Sequence, residues 1–234
     1  MSIFTIEQAL QPQGGGIAQL FIIFADTSQD KNVESFFQHI ARAFSTAAII
    51  LATPSEALLH ATALREEKLL SDEQIREFVR THHDDIQGFI KAFQSHLNIE
   101  PSATALVGIG QIGSLVLELS KLPQPLSGRV ISFGSRFAEL PTEMISLDQT
   151  VHLLHASKDS LVPVSHTLAA QQAIAHCKGD ATIDVAHIPE HSFDEELIKQ
   201  MVQRLLTCVP LRYWKEAQGE SSNAPPSSEG ETLH

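Results

Sequence analysis

The sequence predicts an α/β domain with a mostly parallel sheet and helices on both of its faces. Six short apolar segments, rich in Ile, Val, Leu and Phe, alternate with five segments of helical spacing. Strands buried on both faces have this continuous apolar character, and their alternation with helices is typical of a doubly wound sheet. The predicted strands are 19–24, 47–52, 103–107, 129–133, 151–155 and 182–186.

The helical segments lie between or after these strands. Ser71, with Gln74 three positions later, has the pattern of a capping box and marks the beginning of the longest helix. Segment 53–70 contains Pro54 and continues with Ala, Leu and Glu, which predicts a loop followed by a short helix. The predicted helices are 33–44, 71–97, 111–121, 165–176 and 192–206.

The length of the chain predicts a single folded domain and a short tail. A chain of 234 residues, 43% of them hydrophobic, is long enough for one domain with a substantial core, which we assign to residues 1–215. Residues 216–234 are rich in Ser, Pro, Gly and Glu and contain almost no large apolar side chain. Because such a segment buries too little surface to offset the entropy of ordering, we predict a disordered acidic tail.

Charge and hydropathy exclude two classes of partner. The formal net charge is −12 and the Lys and Arg residues are scattered, so the chain lacks the basic surface that binds a phosphate backbone. No apolar segment approaches the roughly 20 residues that span a bilayer, and no basic segment precedes an apolar run at the N-terminus. We therefore expect no nucleic-acid partner and no membrane span, and we predict a cytoplasmic location.

The sequence gives no reason to expect a metal or another cofactor. Cys177 and Cys208 are far apart and form no C-x-x-C pair, so we assign them no disulfide and no metal. The densest group of His and Asp residues is 82–85. Adjacent residues on a helix point about 100° apart and do not converge on one ion, so this group is interpreted as a solvated helix face.

The strand, turn and helix around Gly110 allow two interpretations. Gly108, Gly110 and Gly113 match G-x-G-x-x-G, a pattern that lets backbone N–H groups approach a pyrophosphate. A dinucleotide fold has this turn after its first strand and an acidic residue after the second, and neither is found here. Ser135 and Arg136 follow the next strand and could hold a 2′-phosphate, so NADP binding stays open as an alternative.

The other interpretation is the strand-to-helix elbow of a hydrolase, G-x-S-x-G, which requires an acid and then a histidine further along the chain. Asp159 follows the predicted strand 151–155, and His191 lies between the last strand and the last helix. Each residue alone would be an ordinary loop residue. Together, in this order and in these loops, they favour a site that descends from a catalytic triad.

From residue 19 to residue 217 the sequence resembles the small carboxylesterase/phospholipase-type α/β-hydrolases, most closely the YpfH-like predicted esterases. The resemblance implies a single-domain α/β-hydrolase fold and a Ser-Asp-His triad, with Asp159 at the acid position and His191 at the base position. The stretches that carry it are 103–111, 129–141, 151–155 with Asp159, 179–184 and 209–214.

Two stretches depart from the family pattern. The family elbow reads G-F-S-Q-G, whereas this chain has Gly110 at the nucleophile position, followed by Gln111. The family also has an F-H-G-x-G-D loop that forms the oxyanion hole, and here Ala25 and Asp26 occupy that loop. A carboxylate at this place would oppose the stabilisation of a developing oxyanion, which is worth about 3 kcal/mol per donor.

We therefore predict a catalytically impaired pseudo-esterase whose remaining pocket binds a small acyl or ester-like ligand or a protein partner. One alternative is an active hydrolase in which His191 activates water, with the Gln111 N–H as oxyanion donor, or in which another nucleophile acts. Ser114, Thr27 and Ser28 are the nearest hydroxyls, and we interpret them as ordinary helix and turn residues. The second alternative is NADP binding through Gly108–Gly113.

Overall fold

The computed structural model describes residues 3–12, 15–26, 32–61 and 69–218. Within them one sheet has the spatial order β1-β3-β2-β4-β5-β6-β7. All neighbouring strands are parallel except the edge strand β1, which is antiparallel to β3. The strands are β1 (Phe4–Leu10), β2 (Gln19–Ala25), β3 (Ala47–Pro54), β4 (Thr104–Ile109), β5 (Arg129–Phe133), β6 (Thr150–Asp159) and β7 (Asp180–Glu190).

Helices connect the strands and cover both faces of the sheet. The predicted capping box is confirmed, because the Gln74 N–H donates to Ser71 Oγ at 3.2 Å and the Ser71 N–H donates to Gln74 Oε1 at 2.8 Å. No helix in the described ranges is both long and apolar enough to cross a membrane. The helices are α1 (Asn32–Ala43), α2 (Glu56–Ala61), α3 (Asp72–Leu97), α4 (Gly113–Leu119), α5 (Val164–His176), α6 (Glu195–Thr207) and α7 (Leu211–Ala217).

The core has two layers separated by the sheet. Helices α1 and α6 place Phe36, Ile40 and Leu197 on one face, against β-strand residues such as Ile131. Helices α3, α4 and α5 place their apolar side chains on the other face. Strands β2, β3 and β4 are almost entirely buried, as their continuous apolar sequence predicts. The mostly parallel sheet with helices on both faces is therefore confirmed.

Several predicted boundaries were wrong for local physical reasons. The prediction omitted β1, in which only Phe4 is buried, so the strand has no apolar run. The predicted helix 111–121 begins with a 3₁₀ turn at Gly110–Ile112 and ends as α4 at Leu119. The predicted helix 192–206 begins at Glu195, because Asp194 accepts the Glu196 N–H at 2.9 Å as the N-cap.

The last part of the chain also differs from the predicted division. Helix α7 continues to Ala217, two residues beyond the expected end of the domain at 215. The tail was predicted to be disordered, and its residues 219–234 lie outside the described residues. In segment 53–70, the expected short helix is α2, and residues 62–68 lie outside the described part.

Candidate active site

The predicted site residues lie at the carboxyl ends of the parallel strands. Strand β2 lies between β3 and β4. The chain therefore adds β3 next to β2 in the direction of one edge of the sheet and then adds β4 on the other flank of β2, in the direction of the opposite edge. Open α/β sheets bind ligands in the crevice beside such a reversal. A cavity of about 360 Å³ lies there, and it is lined by Ala25, Asp26, Gly110, Gln111, Asp159 and His191, among others. The structure therefore brings all six predicted site residues to one cavity.

Gly110 stands at the turn between β4 and α4 with a left-handed φ of 71°. A glycine adopts this φ without strain, whereas an L side chain rarely does. A Cβ added at Gly110 would overlap Asp26 Oδ2. The Asp26 carboxylate thus fills the space into which a side chain at position 110 would extend.

The Asp26 carboxylate is held in that place by two backbone groups. The Gln111 N–H donates to Asp26 Oδ2 at 2.9 Å, and the Ile112 N–H donates to Oδ1 at 2.8 Å. These N–H groups belong to the 3₁₀ turn that leads into α4, where backbone N–H groups lack acceptors inside the helix and the helix dipole favours an anion. Asp26 therefore acts as an internal anion at the point where a hydrolase elbow binds an oxyanion.

Burial makes the charged form of Asp26 unfavourable. Burial raises the pKa of Asp26 from 3.8 to about 6, and the hydrogen bonds from the Ile112 and Gln111 N–H groups offset part of this increase. No described Lys, Arg or His lies within ion-pairing distance of this carboxylate. At neutral pH Asp26 therefore adds a negative charge to the cavity, and among the described residues the backbone N–H groups of Gln111 and Ile112 stabilise that charge.

The glycines of the turn are explained by close packing of backbone. A Cβ on Gly108 would lie 2.5 Å from Gly113 Cα, and a Cβ on Gly113 would overlap Ser135 Oγ. Arg136 is buried and donates to Asp72 Oδ1 at 2.7 Å and to the Leu70 carbonyl at 2.6 Å. Both Nη atoms of its guanidinium are therefore already engaged, which disfavours its use for the 2′-phosphate of NADP.

Asp159 ends β6 and is fully engaged by its own loop and the next one. Its Oδ1 accepts the N–H groups of Leu161 and Val162, both at 2.9 Å. Its Oδ2 accepts the Ser192 N–H at 2.9 Å and the Ser192 hydroxyl at 2.5 Å. Ser192 also accepts the Ala156 N–H at 3.0 Å. Three backbone donors and one hydroxyl thus fix the carboxylate.

His191 lines the same cavity as Asp159 but its side chain is exposed. Among the described residues, its ring makes no hydrogen bond or ion pair with Asp159. Ser192, the next residue, donates both its N–H and its hydroxyl to Asp159 Oδ2. In this structure the carboxylate therefore orients the loop that carries His191 and not the imidazole itself.

Ser192 and Gly134 are site residues that the sequence reasoning did not select. Gly134 has a φ of 63°, and a Cβ there would lie 2.8 Å from both Cβ and Oγ of Ser192 and 3.1 Å from Asp159 Oδ2. The missing side chain allows the loop after β7 to approach the end of β5. The only signal in the sequence was that Ser192 directly follows a candidate base.

The other candidate oxygens and ligands are placed as follows. Ser114 is buried, and its hydroxyl has no hydrogen-bond partner among the described residues. Thr27 and Ser28 lie outside the described residues. No group of three His, Cys, Asp or Glu residues within the described ranges is arranged to hold a metal ion.

A mostly parallel sheet, with a turn-to-helix elbow after β4, an acid after β6 and a histidine after β7, defines an α/β-hydrolase fold. The family model described as Phospholipase/Carboxylesterase matches residues 61–209, which is more than half of the chain. The chain therefore belongs to the phospholipase/carboxylesterase family of α/β-hydrolases, and the resemblance seen in the sequence is confirmed.

Individual relatives support the same assignment. Esterase YpfH of Escherichia coli (strain K12) is 34% identical over 128 residues, which cover 55% of this chain and 55% of that protein. The match thus spans about half the length of the curated relative. The crystal structure of esterase PE8 superposes with a TM-score of 0.72 at 15% identity, covering 86% of this chain and 98% of that one.

A second solved structure gives the same result. The carboxylesterase of Bacillus cereus superposes with a TM-score of 0.66 at 7% identity, covering 84% of this chain and 92% of that one. At such identities the likeness to solved structures establishes the fold alone. Whether this chain can hydrolyse an ester therefore has to be argued from its own elbow residues, Gly110 and Gln111.

Proposed function

We propose that this chain is a family member that does not hydrolyse esters through a serine nucleophile and that uses its cavity to bind a small neutral acyl or ester-like ligand. The observation that carries the proposal is the Asp26 carboxylate, which overlaps the side-chain position of residue 110 and accepts the Gln111 N–H. The same carboxylate thus fills the place of the nucleophile and engages the expected oxyanion donor.

The composition of the cavity supports a neutral ligand. Asp26 and Asp159 place two carboxylates at its floor, and no Lys or Arg is found among the described lining residues. An anionic ligand would be repelled there. Apolar side chains of Val33, Phe133 and Phe193 form part of the wall and suit a short acyl group. Binding of a protein partner and a cytoplasmic location stay predictions from the sequence.

An active hydrolase that uses water is the less favoured candidate. A water held between Gly110 and His191 would need a free oxyanion donor and an oriented imidazole. The Gln111 N–H is engaged by Asp26, and the described contacts of Asp159 do not include the His191 ring. Turnover that disappears in His191→Ala would support this candidate.

The test combines a covalent probe with a binding measurement. The wild-type protein should stay unlabelled by a fluorophosphonate and should not hydrolyse p-nitrophenyl butyrate above the buffer rate. The same ester should nevertheless raise the melting temperature, since a ligand that binds only the folded state stabilises it. Leu161→Trp, which narrows the cavity but keeps the Leu161 N–H bond to Asp159, should abolish that shift. Labelling or clear turnover would overturn the proposal.

A further inference from the structure

A second cavity lies at the opposite edge of the sheet, where the strands begin. Its volume is about 260 Å³, and it is lined by Arg129 at the start of β5, by Arg212 and Tyr213 of α7, and by Gln19 and Phe44. Two of the stretches that resemble the family, 129–141 and 209–214, supply the two arginines. Nothing in the proposed function uses this cavity.

The two guanidinium groups lack carboxylate partners within ion-pairing distance among the described residues. Arg129 Nη1 donates to the Gly128 carbonyl at 3.0 Å. Arg212 Nη1 donates to the Asp148 carbonyl at 2.7 Å, and its Cζ lies 4.8 Å from the centre of the Tyr213 ring. Backbone carbonyls and an aromatic ring therefore orient the two guanidiniums.

The two arginines also act on each other. Burial lowers the pKa of Arg129, and the positive charge of Arg212 lowers it further, while Cys208, Asp180 and Tyr213 act in the opposite direction. Asp180 itself is used to fix the fold, because its Oδ2 accepts the Thr150 hydroxyl at 2.8 Å and the Leu211 N–H at 2.9 Å. In a chain of net charge −12, two neighbouring arginines with no ion pair to a described carboxylate therefore form a locally positive site.

We propose that this second cavity binds a small phosphate-type oxyanion between Arg129 and Arg212. Planar guanidinium groups match the geometry of phosphate oxygens and form charge-assisted hydrogen bonds with them. The rings of Tyr213 and Phe44 border the site and offer an apolar surface to an organic group carried by the phosphate. The anion is either free phosphate or a phosphate monoester.

Titration at constant ionic strength tests the proposal, with inorganic phosphate and phenyl phosphate as separate probes followed by calorimetry. Wild-type protein should bind both saturably, and phenyl phosphate should bind more tightly if the monoester is the natural form. Equal affinities identify the free anion. Absence of saturable binding of both probes overturns the proposal without any variant.

Variants locate the site. Arg129→Gln and Arg212→Gln should each weaken binding at least tenfold, whereas Arg42→Gln, which removes an exposed positive charge on α1, should change it less than twofold. If Arg129→Gln fails to fold, Arg212→Lys serves as the second test. This variant keeps the positive charge but lacks the planar guanidinium, so it should bind phosphate more weakly than wild type. Equal losses in Arg42→Gln and Arg212→Gln would mean general charge attraction and would refute a defined site.

Discussion

The two cavities lie at opposite ends of the same strands and carry opposite charges. Asp26 and Asp159 line the carboxyl-end cavity, whereas Arg129 and Arg212 line the amino-end cavity. The backbone explains the difference. Backbone N–H groups of the 3₁₀ turn at Gly110–Ile112 and of the loop after β6 donate to the carboxylates of the first cavity, and Gly128 and Asp148 present carbonyls to the arginines near the second. Charged side chains at each end therefore follow the polarity of the backbone around them.

The charged side chains at the two ends are also held by different numbers of backbone hydrogen bonds. Each carboxylate at the carboxyl end accepts at least two backbone N–H bonds, so its position is fixed and its charge is partly compensated. Among the described residues, the Arg129 guanidinium donates to the Gly128 carbonyl. The anion position at the carboxyl end is therefore already filled by a side chain of the protein, whereas the two arginines at the amino end form no ion pair with a described carboxylate.

The largest effect is expected from rebuilding the elbow. Gly110→Ser alone should react very slowly with a fluorophosphonate, because the Asp26 carboxylate overlaps the serine and keeps the Gln111 N–H. In Asp26→Gly/Gly110→Ser the space and the donor are both free, so labelling should be faster by a factor on the order of 10³, as expected for a restored oxyanion donor. Asp26→Gly alone is the control without a nucleophile. Equal rates in the single and double serine variants would show that Asp26 does not block the elbow.

The next largest effect concerns the packing of the turn. Gly108→Ala should destabilise the protein by about 3 kcal/mol, because the new Cβ would lie 2.5 Å from the Gly113 Cα and only backbone can move. Gly88→Ala is the matched control, since nothing lies within 4 Å of a Cβ there and the site is exposed on α3. That control should gain up to about 1 kcal/mol from helix propensity. Urea unfolding measures the stability of both variants, and an unchanged stability of Gly108→Ala would show that the turn is not packed as closely as the structure indicates.

These expectations show which parts of the molecule a sequence can predict. The buried strands and the helix that begins after Ser71 have strong local signals, namely continuous apolar runs and a capping box. Strand β1 lacks such a run because it lies at the edge of the sheet with most of its side chains exposed. The order of Gly110, Asp159 and His191 in the sequence predicted a shared cavity.

The contacts inside the site were less predictable, because they depend on backbone torsion angles and on how closely loops that are distant in sequence approach one another. The sequence placed Asp26 in the oxyanion loop, but the overlap with position 110 follows from the φ of Gly110 and from two backbone hydrogen bonds. The engagement of Asp159 by Ser192 likewise requires the close approach allowed at Gly134. Arg129 and Arg212 are distant in sequence, and only the sheet and α7 bring them together.

A smaller effect should follow from the charge on Asp26. Because the folded-state pKa is about 6 and the ordinary value is 3.8, the unfolded chain loses this proton first as pH rises. Below pH 4 Asp26 is protonated in both states and its burial does not reduce the free energy of unfolding. Between pH 4 and about pH 6 the free energy of unfolding falls, and it stays at the lower value above pH 6. A shift of two pKa units corresponds to about 3 kcal/mol, and we expect about 2 kcal/mol because part of the side chain opens into the cavity.

Asp26→Asn isolates this contribution, since the amide does not titrate. The difference in unfolding free energy between Asp26→Asn and wild type should shift by about 2 kcal/mol in favour of the variant between pH 4 and pH 7. A difference that is independent of pH would mean that Asp26 is not desolvated. Phosphate binding at the amino end should be unaffected by this variant.

The smallest effect is expected from Ser192→Ala, and its size distinguishes backbone from side-chain support of Asp159. The variant removes one donor to Asp159 Oδ2 and the acceptor of the Ala156 N–H. The N–H groups of Leu161, Val162 and Ser192 remain, so the loss in urea unfolding should be about 1 kcal/mol. Ser157→Ala, which removes an exposed contact to His187, should change stability by less than about 0.5 kcal/mol. A loss above about 3 kcal/mol in Ser192→Ala would show that the Ser192 hydroxyl, and not the backbone N–H groups, holds the Asp159 carboxylate. Backbone donors would then not explain the position of the negative charge at the carboxyl end of the sheet.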